Sequence, residues 1–138
     1  MLATPGAHTA CAYGINVATG SVNSMLGCRA VVVPDRPPIG SLDSVTGGTG
    51  TVAVTGWAID PDTSSAIDVH VYVDGGAIAV RADQSRPDVG AAYPGAGPQH
   101  GFVGTIGAGP GRHVVCAYGI DVGGTSNTLL GCRSVSVS

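Results

Sequence analysis

The clearest alternation of apolar and polar residues lies between positions 67 and 73. Apolar side chains occupy every second position and polar or aromatic ones lie between them: Ile67, Val69, Val71 and Val73 against Asp68, His70 and Tyr72. A period of two with one apolar face predicts an antiparallel β-strand that is buried on one side. The turn Asp74-Gly75-Gly76 then predicts a hairpin into a second strand.

Weaker patterns along the rest of the chain predict further strands. Residues 51–59 also alternate, although the pattern leaves open which face is buried. One helical turn is expected after Arg86, because Pro87 suits a first helical position and Pro94 ends the segment. Strands are predicted over 41–45, 51–59, 67–73, 77–82, 101–106, 112–122 and 129–138. Short strands separated by turns in this way indicate an all-β, immunoglobulin-like β-sandwich of about seven strands.

An internal repeat changes the expected domain organisation. Residues 3–17 recur as 108–122 at an offset of 105, and residues 23–31 recur as 127–135 at an offset of 104. The chain is therefore interpreted as a partial module (1–33), which is the C-terminal β-hairpin of a preceding repeat, followed by a complete module (40–138). The three prolines of residues 34–39 predict a stiff, extended linker between them.

Several motifs of the complete module occur in a characteristic order: Gly56-Trp-Ala-Ile-Asp-Pro61, Val71-Tyr-Val-Asp-Gly75, Arg86-Pro-Asp-Val89, His100-Gly-Phe102 and Gly111-Arg-His-Val-Val-Cys-Ala-Tyr118. This set resembles bacterial immunoglobulin-like modules that recur in tandem in large secreted or surface-attached proteins. The resemblance implies an extracellular spacer or adhesion module, and it carries over no catalytic residues.

Four cysteines allow three disulfide pairings. Each copy of the repeated hairpin contains its own pair, which favours Cys11–Cys28 and Cys116–Cys132. Zinc ligands would need closely spaced pairs such as Cys-x-x-Cys, and these are absent from the sequence. Disulfides indicate an oxidising, extracellular compartment. No signal peptide is visible at the start, so we interpret the chain as part of a longer secreted or cell-surface protein.

Composition excludes several other classes of protein. The sequence contains no Lys and no Glu, which are the usual fillers of exposed helix positions, so a helical bundle is not expected. A net charge of −3 without an arginine cluster argues against nucleic-acid binding. The longest apolar runs are far too short to insert into a membrane as a helix.

Few residues are candidates for site chemistry. Asp60 and Asp62 lie two residues apart in a loop, as calcium ligands would, and the alternative is an Asx-type turn that caps backbone donors. No other cofactor or metal is expected. His8 and His113 occupy equivalent repeat positions and are expected to bond a neighbouring turn, while His100 is expected to fix its own loop. Catalytic residues are not expected, because no Gly-x-Ser-x-Gly elbow occurs.

The aromatic residues have two competing interpretations. Trp57 and Tyr93 have the chemistry of sugar-stacking platforms, but in so aromatic-poor a chain a core role is favoured for Trp57. His70 lies between Asp68 and Tyr72 on the polar face of its strand. That face is either solvated or a polar binding surface.

The partial module leaves an isolated hairpin. Two strands with an uncovered apolar face are marginally stable in water, and the alternating Val31 and Val33 need a partner surface. The hairpin is therefore expected either to pack on its own chain or to pair with a neighbouring copy, and Val31 and Val33 are the candidate self-association residues.

The sequence thus predicts a non-catalytic extracellular structural or adhesion module whose partners are other copies of itself. The alternatives are a carbohydrate- or cell-wall-binding module of a secreted hydrolase, which an exposed aromatic strip would favour, and a virion surface protein of the same fold.

Overall fold

The computed structural model describes residues 6–14, 24–124 and 126–138, apart from the side chains of residues 13–14, 24–26 and 31–33. The elements in these ranges are β1 (Gly6–Gly14), β2 (Ser24–Val33), β3 (Ile39–Gly47), β4 (Thr51–Ile59), β5 (Asp68–Val73), β6 (Gly76–Arg81), β7 (Gln84–Ser85), α1 (Pro87–Ala92), β8 (Gln99–Gly107), β9 (Gly111–Gly119) and β10 (Thr128–Val137). None of the helices in the described residues is long and apolar enough to cross a membrane.

Eight of the strands form two four-stranded sheets. Their orders are β3-β4-β8-β7 and β10-β9-β5-β6, and neighbouring strands are antiparallel. Counted from β3, the first, second, sixth and fifth strands share one sheet, and the eighth, seventh, third and fourth share the other. This is the order of an immunoglobulin-like sandwich with β6 as an extra edge strand. The all-β sandwich predicted from the alternation is confirmed. The two-residue strand β7 is an addition that no sequence pattern indicated.

The core between the sheets is built mainly from valines. The inward positions of β4 are Val52, Val54, Gly56 and Ala58, which decides the question that the pattern left open. Phe102 is 1% exposed and is the one buried aromatic residue among the described side chains. Its ring occupies the space above Gly56, where an added Cβ would lie 2.5 Å from Phe102 Cζ. Glycine at position 56 therefore makes room for the largest side chain of the core.

Trp57 does not belong to this core. It is half-buried on the outer face of β4, and its ring centroid lies 5.3 Å from that of Tyr93. The predicted core role of Trp57 is therefore wrong, because valines and Phe102 already fill the space between the sheets.

Helix α1 begins at Pro87 and is held by Arg86. The Arg86 guanidinium donates hydrogen bonds to Asp88 at 3.0 and 2.8 Å and a further one to Asp43 on β3 at 2.8 Å. These two carboxylates raise the pKa of Arg86, the Asp88 hydrogen bond being the larger cause. Arg86 thus ties the helix to the edge strand of its sheet.

The disulfides join Cys11 to Cys28 and Cys116 to Cys132, which is the pairing that the repeat favours. In both hairpins the two cysteines face each other directly across the strand pair. Strands β1 and β2 form a two-stranded sheet of their own. The described side chains of this hairpin are exposed, except for the half-buried His8.

One disulfide lies within the sandwich and the other in the exposed β1–β2 hairpin, so their removal should affect stability unequally. Cys116→Ser with Cys132→Ser should cost roughly 3 kcal/mol of unfolding free energy, because the crosslink closes a loop of the sandwich. In calorimetry this corresponds to a fall in Tm on the order of 10 °C for a domain of this size. Cys11→Ser with Cys28→Ser is the matched control and should leave the main transition in place. Equal shifts from both double variants would contradict this description of the hairpin.

Candidate functional site

The linker meets the sandwich at a cluster of charged residues, here called the junction. It consists of Asp35 and Arg36 from the linker, Asp60 and Asp62 after β4, and Asp121 after β9. Asp60, Asp62 and Asp121 are buried, at 0%, 5% and 4% exposure. Buried carboxylates need hydrogen-bond donors or opposite charges, so the contacts of each determine what the junction can do.

Asp60 organises two loops of the junction. Its Oδ1 accepts a hydrogen bond from Asp62 N at 2.9 Å, and its Oδ2 accepts one from Val122 N at 2.8 Å. The first bond is the Asx-type turn that the sequence offered as the alternative to calcium. Burial is the largest influence on Asp60 and raises its pKa, the two backbone N–H groups oppose this, and the neighbouring Asp121 adds to the rise.

Arg36 holds the linker against the sandwich. Its backbone N–H and its Nε donate to the two oxygens of Asp62 at 2.9 and 2.8 Å, and its Nη2 donates to Pro61 O. The Arg36 N–H is the main cause that lowers the pKa of Asp62, and the guanidinium adds to it. Two residues further on, Pro38 is fully buried and packs against Gly119. The linker is therefore fixed at two points before β3 begins.

Three carboxylates of the junction lie close enough to share a cation. One oxygen from each of Asp35, Asp62 and Asp121 falls within 4.8 Å of the others. Oxygen ligands of this kind suit Ca²⁺. The sequence pointed to Asp60 and Asp62, whereas the structure groups Asp62 with two residues that lie far from it in the sequence. Asp62 is already paired with Arg36. These three carboxylates therefore belong to the contact between the linker and the sandwich.

The opposite pole of the sandwich contains His113 and Asp74. His113 Nε2 donates to Gly109 O at 2.7 Å, as the sequence predicted for a turn-bonding histidine, and its Nδ1 donates to Asp74 Oδ2. Because both ring nitrogens face acceptors, the protonated ring is favoured, and the Asp74 hydrogen bond is the main cause that raises the pKa of His113. The same contact lowers the pKa of Asp74. Sequence reasoning did not detect Asp74, which lies 39 residues away.

The outer face of the β10-β9-β5-β6 sheet has an aromatic pair, of which one tyrosine is exposed and the other half-buried. Tyr72 on β5 and Tyr118 on β9 have ring centroids 5.6 Å apart and are nearly perpendicular. Together with His70 and Asn127 they line a shallow cleft of about 520 Å³. The sequence placed His70 on this face but gave no signal that Tyr118 and Asn127 would join it.

The remaining candidate site residues either have a structural role or have side chains outside the described part of the structure. His100 is fully buried and its Nε2 donates to Ala96 O at 2.9 Å, which fixes the loop before β8 as predicted. His8 occupies on β1 the position of His113 on β9. Val31 and Val33 belong to β2, but their side chains are outside the described part of the structure.

Comparison with known proteins finds likenesses among solved structures alone. No protein-family model matches the chain, and no curated protein matches it. The fibronectin(III)-like modules of Clostridium thermocellum CbhA align with a TM-score of 0.49 and 19% identity, over 98% of this chain and 63% of that one. The chain thus spans less than two thirds of that structure. The immunoglobulin-like class of the fold is therefore taken from the strand order itself.

The junction contact predicts that two arginine substitutions differ in their effect on the free energy of unfolding. Arg36→Ala should lower the free energy of unfolding by about 1–3 kcal/mol, because Asp62, whose side chain is 1% exposed, loses its guanidinium partner. Arg81→Ala is the matched control: the Arg81–Asp68 pair is about half exposed on both sides, and such pairs contribute about 0–1 kcal/mol. Urea denaturation measures both variants, and equal losses would contradict a structural role for Arg36.

The His113–Asp74 contact predicts a pH dependence of stability. A histidine whose pKa is raised on folding stabilises the protein fully below its unfolded value of 6.5, and this stabilisation is lost as pH rises through the folded value. Stability should therefore fall as pH rises from about 6.5 through the raised pKa of His113 in the wild type. His113→Asn should flatten this slope, whereas His70→Asn, which alters a ring without hydrogen bonds in the described residues, should leave it unchanged. An unaltered slope in His113→Asn would show that another group is responsible.

Proposed function

We propose that this chain is a non-catalytic structural module of an extracellular array, and that its N-terminal hairpin associates with another copy by strand-edge pairing. In this proposal residues 1–33 are the end of one module, residues 34–39 the linker and residues 40–138 the next module. The work of such a protein is mechanical: modules in series hold a load at a distance or build a fibre.

The observation that carries the proposal is the contrast between β1 and β9. The two strands share the sequence Cys-Ala-Tyr-Gly and the same register with their hairpin partners. Strand β9 also pairs with β5, and its Val115 and Ala117 are fully buried. The equivalent Ala10 and Ala12 of β1 are exposed, and in the described residues β1 pairs with β2 alone. An exposed strand edge of this kind is a template for pairing with another chain.

The candidate residues Val31 and Val33 fit the same comparison by sequence. They occupy the positions of Val135 and Val137 in the complete copy. Val137 is 5% exposed and Val135 packs against the core. By sequence, the repeat therefore supports the choice of Val31 and Val33 as residues that a partner would cover.

The arrangement of modules in series is supported by the positions of the two ends of the sandwich, which lie at opposite poles. Ser138 exchanges backbone hydrogen bonds with Gly48 and Gly50, which follow β3, whereas the linker enters before β3. Strand β3 has nine residues, so about 30 Å separates the two poles. With the linker anchored through Arg36 at one pole, successive modules would follow one another lengthwise.

An extracellular location is supported by the two disulfides, since such bonds persist mainly in oxidising compartments.

Sedimentation across a wide concentration range tests self-association. The wild-type chain should sediment above the monomer mass as its concentration increases. Ala12→Asp should weaken this association by about tenfold or more. It places a charge on the apolar face of β1, which the partner molecule would bury once the strands have paired.

Thr9→Asp provides the matched control. Thr9 lies on the opposite face of the same strand, at the position of the exposed Val114, so the same charge should have little effect there. A monomer at every concentration, or equal effects of the two aspartates, would overturn the proposal.

A further inference from the structure

We propose that the outer face of the β10-β9-β5-β6 sheet binds a neutral polysaccharide. The binding surface, here called the tyrosine platform, consists of Tyr72, Tyr118, His70 and Asn127. This activity goes beyond the structural role proposed above and does not depend on self-association.

The aromatic rings are the first part of the argument. In a chain with only 4% aromatic residues, this pair lies outside the core on two adjacent central strands. Tyr72 is 39% exposed, and the perpendicular arrangement with Tyr118 leaves aromatic surface open to solvent. Aromatic side chains supply the apolar contact area of ligand sites, and the C–H faces of sugar rings are apolar surfaces of matching size.

Polar groups surround the rings at the right places for hydroxyl groups. By strand register His70 lies directly opposite Tyr118, and its ring makes no hydrogen bond to the described residues. Asn127 Oδ1 accepts a hydrogen bond from Asp121 N at 2.9 Å, which fixes the amide, and its two N–H donors have no partner among the described residues. A cleft with aromatic walls and a few convergent polar groups is the usual form of a small-molecule site.

The charges around the platform select a neutral ligand. One carboxylate, Asp74, also lines the cleft, and it is paired with His113. Asp68, on the same strand, is paired with Arg81 at 3.2 Å. The β6 residues beside the platform, Ala77 and Ala79, are small and exposed, so they do not obstruct a chain that crosses the sheet. The surface thus offers no excess charge to an anionic or cationic polymer.

The repeat favours a polymer over a single sugar. Tyr118, Cys116 and Asn127 have counterparts at Tyr13, Cys11 and Asn23 in the preceding copy. Half of the platform is therefore encoded in both copies. Platforms repeated along an array would bind one long chain with an avidity well above that of a single site.

Native affinity electrophoresis of the whole chain tests the proposal directly. The gels contain xyloglucan, galactomannan, mixed-linkage glucan or dextran, with polygalacturonate as the anionic comparison. At least one neutral polysaccharide should retard the wild type. Tyr72→Ala should weaken that binding by about tenfold, and His70→Ala, which removes the polar group without removing an aromatic ring, should weaken it by a smaller factor.

Tyr93→Ala is the matched control, because Tyr93 is also 39% exposed but is associated with Trp57 on the other sheet. It should bind within about twofold of the wild type. Calorimetry on each variant establishes that the sandwich is folded. Failure of all four neutral polysaccharides to retard the chain, retardation by polygalacturonate alone, or equal losses in Tyr72→Ala and Tyr93→Ala would each overturn the proposal.

Discussion

Strand β9 is satisfied on every side, and the rest of the sandwich depends on this. One edge pairs with β10 and the other with β5, the inner face supplies Val115 and Ala117 to the core, and the outer face supplies Cys116 to the disulfide. A strand has backbone donors and acceptors along both edges, and each must find a partner or water. The sequence of β9 is thus adapted to a neighbour on each edge. The similar sequence in β1 has one such neighbour among the described residues, and the self-association proposed for its hairpin rests on this difference.

A core with one phenylalanine determines where the other aromatic residues lie. Valines from both sheets fill most of the interior, and Gly56 opens the space that Phe102 occupies. No room remains there for the four other aromatic residues whose side chains are described, so they lie outside the core as two separate pairs, Trp57 with Tyr93 and Tyr72 with Tyr118. The Trp57–Tyr93 pair covers the sheet beside α1. The Tyr72–Tyr118 pair covers the opposite sheet, where the surface is open.

The sequence predicted the local parts of this structure well. Alternation at 67–73 placed β5 to within one residue, Pro87 marked the start of the helix, and the repeat pointed to the disulfide pairing. Each of these depends on neighbours in sequence or on an internal duplicate. Contacts between distant segments were not accessible in this way. Asp43 with Arg86 and Asp74 with His113 are brought together by strand pairing within each sheet, and Asp35 with Asp121 by the contact between the linker and the sandwich. The position of Trp57 was mispredicted because an aromatic residue within an alternating strand fits either face.

The Cys116–Cys132 bond has a consequence for a chain under tension. A pull applied at the C-terminus loads β10 first, since Ser138 lies at the end of that strand. Only residues 133–138 can be extracted before the load reaches Cys132 and passes through a covalent bond to the centre of β9. Beyond that point the force acts on a strand paired along both edges. The crosslink therefore sets a short, fixed limit on how much of the chain can be drawn out from the C-terminal side before β9 must separate from its neighbours.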